Sequence, residues 1–159
     1  MTATERAVAI ATIRERFQRL APHVILLHER IAKETGLTAV ELQVLHLLSL
    51  AGEPQSPSDL SALAELPRST ITRVLAGLES AGYVARESVP SDGRRALIVP
   101  VAEKTGELST KFDTYAEALD RVLARFDDDE MATIARFWDA YLAALRTGSD
   151  ADARPVPGS

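Results

Sequence analysis

The chain has 159 residues, 46% of them apolar and 26% charged, so it can bury a core as one domain. It holds no cysteine, which excludes disulfides, thiolate metal sites and thiol-based redox sensing, and no apolar run near 18 residues, so nothing in it spans a membrane. The net charge of −5 counts against a nucleic-acid partner, and the opening Met1-Thr2-Ala3-Thr4-Glu5 has no basic-then-apolar leader pattern, which fits a cytoplasmic location.

Thr2 and Glu5 stand at the spacing of a capping box and predict one long helix over roughly residues 5–34. Ile10, Ile13, Phe17, Leu20, Val24, Leu27 and Ile31 recur in alternating steps of three and four, the narrow seam of a helix lying along another helix. Pro22 falls inside this run and lacks a backbone donor, so a kink or break is expected near residue 21. Gly36 ends the helix.

Thr38 and Glu41 form a second box, ahead of a helix ending near Gly52. Its Val40, Leu42, Val44, Leu45, Leu47, Leu48 and Leu50 leave almost no polar face, which predicts a central, buried position. Ser56 can cap the next helix, Pro57 suits its first position and Asp59 favours its positive end; this helix is short, about 57–65, and Leu66-Pro67 stops it. Another must begin near Arg68 or Ser69 and run to Ser80, with Gly82 as its stop. Two helices joined by so tight a turn make a helix-turn-helix. Residues 83–88 then read as a strand, 89–95 as a turn with Pro and Asp-Gly chemistry, and 96–101 as a second strand, giving a hairpin with a long basic tip.

The last third is helical. Leu108, Phe112, Tyr115, Leu119, Val122 and Phe126 make a second apolar seam. The acidic run 127–130 starts a further helix carrying Met131, Ile134, Trp138, Tyr141 and Leu145. From Thr147 the chain is polar with two prolines and reads as a disordered tail. The reading is thus mainly α with a small β-hairpin wing. Residues 1–36 form an N-terminal dimerisation helix, 37–101 a winged helix-turn-helix lobe, 102–146 C-terminal dimerisation helices and 147–159 the tail. The terminal seams exceed what a small winged domain needs for its own core, which points to a homodimer; an intrachain helical bundle is the alternative.

Charge is unevenly spread. Residues 66–101 hold Arg68, Arg73, Arg86, Arg94 and Arg95 against Glu79, Glu87 and Asp92, a window of +2 in a chain of −5. On the second helix of the pair, Ile71, Val74, Leu75 and Leu78 share one face, while Ser69, Thr72, Arg73 and Ala76 share the other. That outer face has neither acidic nor bulky apolar residues, and small hydroxyls with arginine suit contact with base edges in a major groove. Arg68, Ser69 and Thr70 stand at the helix N-terminus, where free N–H groups suit phosphate. At the hairpin tip, Asp92 can fix the loop, Arg94 can enter a narrow minor groove and Arg95 can meet phosphate. An amphipathic surface helix and a solvated charged turn are the bland alternatives. A winged module serving protein contacts without DNA is the functional one.

Residues 37–106 resemble the MarR family of winged-helix regulators. The resemblance rests on the buried helix Leu42–Leu48, Ser58-Asp59-Leu60, the run Ser69-Thr70-Ile71-Thr72-Arg73, Leu78-Glu79-Ser80-Ala81-Gly82-Tyr83-Val84-Ala85-Arg86, and Ser91-Asp92-Gly93-Arg94-Arg95. It implies a transcriptional regulator, of repressor type, that binds double-stranded DNA as a homodimer. The helix of Ser69 to Arg73 would read the major groove and Asp92-x-Arg94 would form the wing. It departs from the pattern after the wing, where the usual Leu-Thr-x-x-Gly is replaced by Val101-Ala102-Glu103-Lys104-Thr105-Gly106. The resemblance also implies a small phenolic or aromatic effector, for which His23, His28, His46, Phe112 and Tyr115 are candidate contacts. The histidines serve local hydrogen bonds equally well. No cofactor, metal or membrane partner is expected. The enzyme motifs sought, a glycine-rich phosphate loop, Gly-x-Ser-x-Gly and His-Glu-x-x-His, do not occur.

Overall fold

The computed structural model describes residues 1–89 and 92–152. Its elements run α1 (Ala3–Thr35), α2 (Ala39–Ala51), α3 (Pro57–Leu63), α4 (Arg68–Ser80), β1 (Val84–Val89), β2 (Asp92–Pro100), α5 (Ala102–Leu123) and α6 (Asp128–Asp152). The chain divides into two compact units, Met1–Lys111 and a second that begins at Phe112 within α5.

Capping chemistry sets the starts of the first three helices. Thr2 with Glu5, Thr38 with Glu41, and Ser56 with Asp59 each form a reciprocal capping box, so two otherwise orphaned N–H groups are satisfied at each start. Gly36 and Gly52 close α1 and α2 in the left-handed region, at φ 72° and 71°, where a side chain would be strained. α1 runs unbroken through Pro22, so of the kink or break expected near residue 21 the break does not occur. A proline inside a helix costs about 3 kcal/mol, and the long hydrogen-bonded ladder on both sides carries the helix across it.

The core of the first unit lies where α2, α3, α4 and the hairpin meet. Leu42, Leu45 and Leu48 of α2, Leu60 of α3, Ile71, Leu75 and Leu78 of α4, and Ile98 of β2 are all fully buried. α2 is central, as its composition demands, but not wholly enclosed: Val40 and Leu50 are exposed, Leu50 at 71%. β1 and β2 pair antiparallel from Val84↔Pro100 to Ser88↔Ala96, then shift register to Val89↔Asp92. The second strand therefore starts at Asp92, earlier than the expected 96. On its other side Ile98 exchanges both backbone hydrogen bonds with Gln55, at 2.8 and 3.2 Å, which ties the hairpin to the loop before α3.

In the second unit α6 opens with Asp127 and Glu130, each accepting the other's backbone N–H at 2.9 and 3.0 Å. α6 continues past the boundary expected at 147 and reaches Asp152, which corrects the start of the tail. Extending an existing helix costs far less than nucleating one, and no proline intervenes before Pro155. Residues 153–159, including the two prolines behind the tail assignment, lie outside the described residues.

Candidate nucleic-acid interface

The helix-turn-helix is built from α3 and α4 with Ala64, Glu65, Leu66 and Pro67 between them. Ser61 fastens this turn from α3: its hydroxyl donates to the Leu66 carbonyl at 2.6 Å, and its carbonyl accepts the Leu66 N–H at 3.1 Å. Glu65 sits at φ 53°, a left-handed conformation that costs a non-glycine residue about 1–2 kcal/mol. The turn therefore stores strain where the two helices change direction.

α4 presents two faces. Ile71, Leu75 and Leu78 are at most 1% exposed and anchor it to the core. Arg68, Ser69, Thr72, Arg73 and Ala76 are exposed on the opposite side, and Thr70 is half-buried. The Thr72 hydroxyl donates to the Arg68 carbonyl at 2.9 Å, which leaves its oxygen lone pairs outward as acceptors. No side chain caps the N-terminus, where Pro67 occupies the N-cap position. The exposed face thus joins two guanidinium groups, two hydroxyls and an uncapped positive helix end. These are groups that bind phosphate and base edges.

The hairpin stands next to this helix. Gly82, at φ 77°, reverses the chain out of α4, and the Tyr83 carbonyl accepts the Val101 N–H at 2.9 Å where the hairpin returns. Arg86 Nε donates to Glu79 Oε2 at 3.1 Å, bracing β1 against the last turn of α4. This exposed pair is worth at most about 1 kcal/mol, and its effect is to hold Glu79, an anionic group on α4, against a cation. Asp92, Arg94 and Arg95 belong to β2 by backbone, and their side chains lie outside the described residues.

The candidate effector contacts do not gather at one place within a unit. His23 is exposed on α1. His28 of α1 and His46 of α2 stand with ring centroids 6.1 Å apart, and Gln43 hydrogen-bonds His28 Nδ1. Partial burial, and secondarily the neighbouring His46, push the His28 imidazole below its ordinary pKa, while the Gln43 contact opposes this. Phe112 and Tyr115 lie in the second unit, on α5. Among the described residues no group of three or more His, Cys, Asp or Glu side chains could hold a metal ion. No helix there is long and apolar enough to cross a membrane.

Two arrangements near the interface were not legible from spacing. One is the Arg86–Glu79 brace, whose partners are seven residues apart on different elements. The other is the approach of Glu41 on α2 to Gly77 on α4. Both are tertiary contacts without a local sequence pattern.

Residues 35–95, which span α2 to the start of β2, match the family model described as MarR family. The chain is 29% identical over 136 residues to the uncharacterized HTH-type transcriptional regulator YcgE of Bacillus subtilis (strain 168), covering 86% of this chain and 88% of that one. Its fold resembles that of a MepR mutant from a multidrug resistant S. aureus clinical isolate, at 14% identity and a TM-score of 0.67 over 83% of this chain and 96% of the other. It also resembles S. aureus MepR in a structure of the MepR–DNA complex, at 14% identity and a TM-score of 0.56 over 81% and 96%. Over residues 35–95 the chain is thus similar to the MarR family, and its fold is that of winged-helix regulator structures.

Proposed function

We propose that this protein is a DNA-binding transcriptional regulator of the MarR type, a homodimeric repressor that reads a pseudo-palindromic operator in the cytoplasm. α4 enters the major groove, with Ser69, Thr72 and Arg73 toward base edges and Arg68 and the N–H groups near Thr70 toward phosphate. The hairpin reaches the adjoining minor groove, where Asp92 orders the tip, Arg94 enters the groove and Arg95 meets phosphate. The single observation that carries this reading is the outer face of α4: exposed, cationic, free of acidic groups through Ala76, and held rigidly by a buried inner face.

A second copy is supported by the terminal helices. Ile10, Ile13, Phe17, Leu20 and Val24 of α1 are all exposed, as are Leu119, Val122, Trp138 and Leu145 of α5 and α6. Exposed apolar residues at helical spacing on each of these helices support an interface. Twofold pairing of such chains sets two recognition helices about one DNA turn apart, which makes the operator a pseudo-palindrome. For the releasing signal we propose a small aromatic or phenolic molecule. Its supports are the His28–His46 pair between α1 and α2 and, on the sequence alone, His23, Phe112 and Tyr115.

Fluorescence anisotropy tests the reading. Wild-type protein is used to select duplexes from a random library, and binding to the selected duplex is measured against salt. Affinity falls steeply with salt, Arg73→Ala loses about 1–3 kcal/mol on the selected duplex, and Arg95→Ala lowers the salt slope by about one. Failure to select or bind any duplex at low salt overturns the proposal.

A further inference from the structure

Glu41 stands where α2 meets α4, with one carboxylate oxygen held by Thr38 and the other toward Gly77. Its Oε2 accepts from the Thr38 N–H and from the Thr38 hydroxyl, each at 2.8 Å, and the Glu41 N–H donates to Thr38 Oγ1 at 3.2 Å. The carboxylate is therefore fixed by the first turn of α2 and is not a loose chain end. Its Oε1 points at Gly77 of α4. A β-carbon at residue 77 would fall far inside contact distance of that oxygen and 3.0 Å from Glu41 Cδ. Glycine at 77 is what lets α4 close onto the carboxylate. Gly77 has an ordinary helical backbone conformation here, so the missing side chain is the relevant property, not conformational freedom.

Arg73 lies one helical turn before Gly77 on the same flank. Thr38, Glu41, Arg73 and Val74 border a common cavity of about 420 Å³. Glu41, on which Gly77 is seated, thus also borders the space beside Arg73, the residue proposed to read bases. We propose that Glu41 is a positioning residue for DNA reading: seated on Gly77, it sets the depth and rotation at which α4 presents Arg73. This rests on the proposed major-groove role of α4. Rotation of a recognition helix moves every base-edge contact together, whereas phosphate contacts tolerate it, so the signature is lost discrimination and not lost binding.

The test compares the duplex selected by the wild-type protein with a random duplex of equal length. Gly77→Ala forces the carboxylate off its seat and weakens the selected duplex about tenfold, with random DNA changed less than twofold. The double variant Glu41→Ala with Gly77→Ala removes the collision and recovers part of that loss, up to the level of Glu41→Ala alone, which a purely local helix effect at 77 would not do. Glu41→Ala alone keeps the Thr38 hydroxyl on the backbone N–H of residue 41; it carries the test if Gly77→Ala fails to fold, with several-fold lower discrimination. Gly77→Ala discriminating like wild type, the double variant as poor as the single, or Glu41→Ala without effect overturns the proposal while leaving the DNA-reading role intact. A wild-type protein that selects no duplex overturns that role, and this inference with it.

Discussion

α1 and α4 carry apolar residues at the same three-and-four spacing, with opposite outcomes. In α4, Ile71, Leu75 and Leu78 are at most 1% exposed; in α1, Ile13, Leu20 and Val24 are between 41% and 54% exposed. Each such side chain, left about half in water, forgoes about 1 kcal/mol that full burial would add. Periodicity establishes that a face seeks cover. It does not say whether the cover comes from the same chain, as for α4, or from another, as we propose for α1.

The contrast is broken most sharply by charging the α1 seam. In a twofold dimer Leu20→Asp acts twice, removing two apolar contacts and burying two carboxylates, an expected loss of about 4 kcal/mol, or about a thousandfold in the dimer constant. Sedimentation equilibrium reads this directly, and unchanged self-association would leave the seam without its proposed cover. Leu45→Ala in the buried set costs about 3 kcal/mol of unfolding free energy through lost transfer and a residual cavity. Urea titration should give the same loss when its intrachain part is resolved from dimer dissociation, and a loss below about 1 kcal/mol would mean the core is open at α2.

Glu65 sharpens the comparison from the side of the turn. Glu65→Gly relieves the left-handed strain at φ 53° and forgoes part of that gain through a more flexible unfolded chain, for a net stabilisation of about 0.5–1 kcal/mol. A destabilised variant, by thermal or urea unfolding, would show that the side chain contributes more than its backbone costs. The smallest effect concerns pH. His28 is held below its ordinary pKa of about 6.5, so the fold prefers the neutral ring. The unfolded chain takes up the proton first as pH falls through that value; stability is full above it and declines below it, until the folded ring also protonates. His28→Gln should flatten this part of the stability profile, and an unchanged profile would assign the acid response to other groups.

The local chemistry was largely legible. Thr2, Thr38 and Ser56 with their acidic partners, and Gly36, Gly52 and Gly82 as stops, act between residues a few positions apart, so spacing alone reveals them. The two faces of α4 follow from helical geometry in the same way. Pro22 does not break α1, because a helix-breaking tendency is local, whereas the surviving ladder of a 33-residue helix is cooperative. Asp152 as the end of α6 was missed for a related reason, since polar composition does not stop a helix already propagating.

The amino-acid sequence by itself determined where helices begin and turn, which faces are apolar, and the placing of hydroxyls and arginines along α4, because each depends on residues within a turn or two of one another. Only the tertiary structure decided that Gln55 pairs with Ile98, that Arg86 braces Glu79, and that Glu41 rests on Gly77. Such contacts join different elements whose mutual approach is set by packing of the whole core, and no local spacing encodes it.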